Sequence, residues 1–296
     1  ANDLRRSAGS FEAGDIDQAA AKRAAETYRD ALAAWQAVPD SCEVRRTLSG
    51  RARLLFALGD YARAQESART ALETACDRGG DPSVSAYAAE AERTLGASLA
   101  YLGDRLGAIA AQRRALSLYR RTGDERFQGV VLGNLVSNYA ETGQKGKAFD
   151  AATEALKLAQ ATGDGPGVVF GRERLASVLM GRGEYSRALD VFAQTFDDLR
   201  RTPYPMVENM AWSDLGNLYR ELGESEQALS AYRKSEAAAA ANKEPPAVAE
   251  ALVNQGDAAL DAGRIDAAAG LYEQALHLGS AGGFAREQAH GLRGLG

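Results

Sequence analysis

Histidine and cysteine are nearly missing from this 296-residue sequence, which has two of each. His277 and His290 both fall late in the chain with no catalytic constellation around them. They read as surface or packing groups, and most imidazole-based acid–base chemistry is set aside. Cys42 and Cys76, 34 residues apart, make neither a disulfide framework nor a thiolate metal site, and are expected to be buried small hydrophobes. Net positive charge is lacking too. Thirty-five Lys plus Arg against 40 Asp plus Glu leave −5, which speaks against a dedicated nucleic-acid binder whose basic surface must replace phosphate counterions. No apolar run approaches the roughly 20 residues that a membrane-spanning helix needs, and no charged-then-apolar leader opens the chain. Gly-x-x-x-x-Gly-Lys-Ser/Thr, His-Glu-x-x-His, Gly-x-Ser-x-Gly and Cys-x-x-Cys are all absent. Asp197-Asp198 is a carboxylate pair, but adjacent helix positions point about 100° apart, so it reads as a solvated face. The expectation is a soluble, cytoplasmic protein that is not an enzyme and uses no metal or cofactor.

What is present is a ruler. With 45% hydrophobic and 25% charged residues the chain has the composition of a folded protein. Along it a Gly with Ala five places later recurs seven times: Gly14/Ala19, Gly59/Ala64, Gly103/Ala108, Gly143/Ala148, Gly183/Ala188, Gly223/Ala228 and Gly263/Ala268. Successive glycines are 45, 44, 40, 40, 40 and 40 residues apart. Each follows one amphipathic stretch and precedes another, so the unit reads helix, tight turn, helix. Glycine suits the left-handed residue past a helix end. Asp60, Asp104, Glu184 and Glu224 follow their glycines, where an acid can accept free backbone NH groups of the next helix. Seven places before the turn stands a small residue, Ala52, Gly96, Ala176, Gly216 or Gly256, with Val136 the exception. Together with Ala at plus five this predicts a close approach of two helix backbones. Between units, Thr122-Gly123-Asp124 and Thr162-Gly163-Asp164 share a phase, and Pro82, Pro166, Pro205 and Pro245 open helices.

These residues resemble the tetratricopeptide repeat. Trp212, Leu215, Gly216, Tyr219, Gly223, Ala228 and Tyr232 stand at the family's positions in the sixth unit. Gly256, Ala268, Tyr272 and Ala275 do so in the seventh, and Leu95, Gly96, Ala108 and Ala115 in the third. Units one and two are degenerate, and Arg23 and Gln112 replace the second-helix aromatic. The 40-residue period is similar to the long-helix variants of kinesin light chains, Pins-type adaptors and bacterial regulators. The resemblance implies an all-α, right-handed superhelical solenoid of about seven repeats: 1–37, 38–79, 80–122, 123–162, 163–203, 204–243 and 244–282. Residues 283–296 then form the start of an eighth repeat, so the sequence reads as an excised piece of a longer protein. Recurrent aromatics such as Trp212, Tyr219, Tyr232, Tyr272, Tyr139 and Phe192 are expected to be packing.

In this family the inner wall is lined by the first helix of each pair. The resemblance therefore implies a concave binding face carrying Asn134, Arg174, Asp214 and Asn254 nine places before the turn, and Ser137, Ser177, Asn217 and Asp257 six places before it. Arg93, Glu173, Ser213 and Arg220 share that face. Asn offers a donor and an acceptor to an extended peptide backbone, and Arg a fork for a carboxylate. The leading expectation is a protein-interaction module for an extended peptide or partner helix, with no nucleic acid and no membrane as partner. The alternatives are a sensor or autoinhibitory arm of a larger bacterial regulator (transcription factor, kinase or caspase-like peptidase), whose ligand is another domain of the same chain, and a scaffold that self-associates through its end repeats.

Overall fold

The computed structural model describes residues 23–24, 27–28, 30–34, 40–76, 82–201, 203–282, 288 and 291–294. Gly14, Ala19 and His290 lie outside the described residues. Twelve helices are described: α1 Ser41–Ala57, α2 Tyr61–Glu73, α3 Pro82–Tyr101, α4 Arg105–Thr122, α5 Glu125–Glu141, α6 Lys145–Thr162, α7 Gly165–Gly181, α8 Tyr185–Arg201, α9 Pro205–Glu221, α10 Ser225–Ala241, α11 Pro245–Asp261 and α12 Ile265–Gly282. Odd-numbered helices lead each pair and even-numbered ones follow. The chain forms two compact units, residues 1–158 and 159–296. In the first, α1, α3 and α5 pack in succession with α2 and α4 against them; in the second, α7, α9 and α11 do so with α8, α10 and α12. The fold is an all-α array of helix pairs.

The turn glycines behave as their chemistry demands. Gly59, Gly103, Gly143, Gly183, Gly223 and Gly263 all have φ between +72° and +89°. The turn between pairs takes the same conformation at Gly123 (+72°), Gly163 (+68°) and Lys243 (+56°), whereas Pro203, at the same phase, does not. Asp60 and Asp104 accept from the backbone NH groups of Arg63 and Gly107, and Asp124 and Asp164 from those of Phe127 and Gly167. The two glutamates expected to do likewise do something else. Glu224 makes no side-chain cap bond, and Glu184 pairs with Arg182 and Arg187. One extra methylene carries the carboxylate past the amide that an aspartate reaches.

Ala64, Ala108, Ala148, Ala188, Ala228 and Ala268 are all buried, as are Ala52, Ala176 and Val136. The close approach is tightest where the leading helix carries glycine and the following one tyrosine. A Cβ on Gly216 would stand 2.5 Å from the Tyr232 ring, and one on Gly256 2.5 Å from Tyr272. Tyr232, Tyr272 and Phe192 are among the largest fully buried side chains, while Trp212 and Tyr219 are half-buried. In the α3–α4 pair the tyrosine's place is taken by Gln112, itself fully buried and 2.6 Å from where a Gly96 Cβ would be.

The cysteines correct the expectation drawn from their number. Cys42 is buried, but it is bonded to Cys76 with their Cα atoms 4.8 Å apart. Cys42 lies in the first turn of α1 and Cys76 just beyond α2. An antiparallel pair returns the end of its second helix to the start of its first, so a spacing that looks remote along the chain is adjacent in space. The Arg45 guanidinium closes the same end, donating from Nε to the carbonyls of Ala71 (3.2 Å) and Thr74 (3.1 Å).

Two glycine substitutions test this packing. Gly216→Ala, which drives a methyl into the Tyr232 ring, is expected to cost about 1–3 kcal/mol in chemical denaturation. Gly133→Ala, on α5 with nothing within 4 Å of its Cβ position, is expected to be neutral or stabilising by up to about 1 kcal/mol.

Candidate functional site

The leading helices of the second unit bring nine of the expected wall residues together. Their arrangement follows from the aromatic four residues after the buried alanine of α8, α10 and α12. Tyr232 donates its hydroxyl to Asn217 Oδ1, and Tyr272 to Asp257 Oδ1, both at 2.7 Å. Asn217 and Asp257 each stand six places before their own turn glycine. In the pair where the aromatic is Phe192, which has no hydroxyl, that place holds Ser177, and its hydroxyl turns instead to Asp214. An acceptor sits six places before the turn where a tyrosine must be satisfied. A buried phenol without a partner would cost about 1–3 kcal/mol, so this wall position also serves the core beneath it.

Asp214 is the hub of the row. It receives hydrogen bonds from Ser177, Asn217 and Glu173, and Arg174 lies near it. Its carboxyl is raised from the ordinary aspartate range because burial outweighs those donors and the Arg174 charge. Glu173 behind it is almost wholly buried, with its Oε2 3.5 Å from Arg174 Nε. Burial pushes Glu173 well above the ordinary glutamate range; the Arg174 charge opposes this and the Asp214 carboxylate reinforces it. Of the two, Glu173 is the donor and Asp214 the acceptor.

A second knot lies further along. Arg220 donates to Asp257 Oδ2 (3.1 Å) and Asp261 Oδ2 (2.7 Å), and despite the pull of burial these carboxylates hold its pKa above the ordinary arginine value. Burial also lifts the neighbouring Tyr232 hydroxyl to about 12. Asn254 Nδ2 reaches Ser213 Oγ at 3.4 Å, joining α11 to α9. Ser213, Asp214, Asn217, Arg220, Asn254 and Asp257 are all half-buried, so each presents part of its surface while its other contacts fix its position.

In the first unit the three expected residues are less connected. Arg93 lays its guanidinium over the Phe127 ring, 5.3 Å from the centroid. Asn134 and Ser137, both half-buried, follow one another along α5, with the Asn134 carbonyl accepting from Asn138. Asn138 was not among the expected site residues, yet it organises this region. Its amide donates to Gln112 Oε1 (2.9 Å) and its oxygen accepts from Arg105 (3.3 Å), a buried polar chain running across α4 and α5. The signal was Gln112 itself, a polar residue at an aromatic's place. Among the described residues no cluster of His, Cys, Asp and Glu has the makings of a metal site.

Models of the tetratricopeptide repeat match residues 207–278 and 45–70. No match is found among curated proteins. Among solved structures, a tetratricopeptide repeat protein from Parabacteroides merdae is 16% identical, with 99% of this chain and 96% of that one covered and a TM-score of 0.68. The apo form of RapI is 13% identical, with 86% and 89% covered and a TM-score of 0.69. NprR in complex with its cognate peptide NprX is 12% identical, with 93% and 77% covered and a TM-score of 0.67. At these identities the likeness is one of fold.

The Glu173–Asp214 pair makes stability depend on pH with a definite sign. The folded chain keeps a proton on Glu173 that the unfolded chain releases. The contribution of Glu173 to stability is therefore greatest below the ordinary glutamate range, declines as pH rises from there, and levels off once the raised value is passed. Glu173→Gln, which keeps a neutral donor to Asp214, is expected to flatten this decline in thermal melts between about pH 5 and about pH 8 and to leave the variant the more stable chain at the upper end.

Proposed function

We propose that this chain, a tetratricopeptide-repeat protein, is a non-enzymatic binding module that holds an extended peptide or a partner helix along the row of its leading helices. The observation that carries the reading is the state of the wall in the second unit. Its polar groups are half-exposed, and they are held in place by hydroxyl, amide and guanidinium bonds from beneath and beside them. A ligand meeting such groups does not have to order them, which removes a large part of the entropic cost of association. NprR, whose solved complex contains a peptide, shares the fold and lends the reading support. The mixed charge of the row, Arg174 and Arg220 beside Asp214, Asp257 and Asp261, favours a polar ligand with some basic character near Asp214 and Asp257.

No described helix is long and apolar enough to cross a membrane. The Cys42–Cys76 disulfide favours an oxidising setting over the reducing cytoplasm, because thiols there are kept reduced.

A peptide library displayed on phage and selected against the chain tests the proposal. Selected peptides are expected to lose about tenfold or more in affinity for an Arg174→Ala, Asn254→Ala double variant, since each hydrogen bond is worth about 1 kcal/mol and those to charged groups more. Helicity should be unchanged. Peptides that bind the double variant as tightly as the parent would place the binding face elsewhere.

A further inference from the structure

We propose that a cleft between α8, α9 and α10 in the second unit binds a small amphipathic anion, an aromatic or branched apolar body carrying one carboxylate or sulfonate. The cleft measures about 360 Å³, inside the range of small-molecule sites. Leu189 and Phe196 of α8, Trp212 and Tyr219 of α9, and Ser230 and Lys234 of α10 are among its lining. The Phe196 and Trp212 rings stack with centroids 3.8 Å apart and planes at 24°, and the Lys234 ammonium lies 4.2 Å from the Trp212 centroid. Lys234 is the one charge in the lining, which includes no aspartate or glutamate. An apolar body gains contact with the aromatic stack while its anionic group meets a cation that no carboxylate of the lining neutralises.

The repeat supplies its own control. One period away, the place of Trp212 is taken by Arg172 and by Leu252, that of Phe196 by Leu156 and by Glu236, and that of Lys234 by Gln194 and by Gln274. Arg172 forms an ion pair with Asp198, and Glu236 accepts from Gln255 at 2.7 Å. Neither neighbouring unit repeats the aromatic pair. Here an aromatic pair occupies both places, and Ser230 and Ala231, which line the same space, are too small to fill it. The cleft is thus a local departure from the chain's own pattern. It is also separate from the polar row: Trp212 and Asp214 are two residues apart on α9 and so point about 200° apart around it.

The test is a pair of dye titrations on the full chain, with 8-anilinonaphthalene-1-sulfonate and its uncharged relative N-phenyl-1-naphthylamine. The sulfonate dye is expected to bind saturably at a single site. Lys234→Gln should weaken it about tenfold while changing the neutral dye by less than about twofold. Ser230→Leu, which fills the cleft from an exposed position, should abolish binding of both with helicity intact. Absence of saturable binding, an equal change in both dyes on Lys234→Gln, or full binding to Ser230→Leu would each overturn the proposal.

Discussion

The structure depends on one steric constraint, the approach of a following helix to the helix that leads it. The contact is made by a buried alanine on one side and an alanine or glycine on the other, with Val136 of α5 the exception, and in the α9–α10 and α11–α12 pairs a tyrosine ring rests where a Cβ would otherwise be. Backbones this close leave no room for a side chain to adjust, so this contact sets the crossing of each pair. The turn glycine, five residues from the alanine, serves the same end by letting the chain reverse without strain.

From that contact the polar row inherits its geometry. The tyrosines that rest on Gly216 and Gly256 carry hydroxyls, and these must find acceptors on the leading helix. Core and surface are therefore joined through single side chains, with the ring serving packing and the oxygen serving the wall. Where the aromatic is phenylalanine the wall residue is released to join Asp214. The mixture of serine, asparagine and aspartate along the face thus follows in part from which aromatic lies below, and part of what reads as a ligand-binding ladder is internal upkeep.

The period, the turns and the small residues were legible because each reports a local demand: a positive φ, a helix start, a contact with no space. The aspartate caps were legible for the same reason, whereas Glu184 and Glu224 were not, because the difference is the reach of one methylene. The expected wall residues do lie on leading helices, and in the second unit they converge. Their bonding partners were hidden because Tyr232, Tyr272 and Asp261 lie on other elements or other turns, and a sequence read one unit at a time treats the tyrosines as packing. Asn138 was missed because its partner Gln112 lies a full helix away. The disulfide was overlooked by counting cysteines instead of folding the hairpin: a residue at the start of a leading helix and one just past the following helix meet by construction.

That disulfide alters how the first unit comes apart. Within this unit the pairs pack on one another, so loosening of one pair weakens its neighbour. A covalent tie across the open mouth of the α1–α2 pair, backed by Arg45 on the same carbonyls, keeps the two helices from separating even when their packing loosens. Fraying that reaches this pair meets a clasp instead of another link in the row, and the redox state of two sulfur atoms sets how far it can spread.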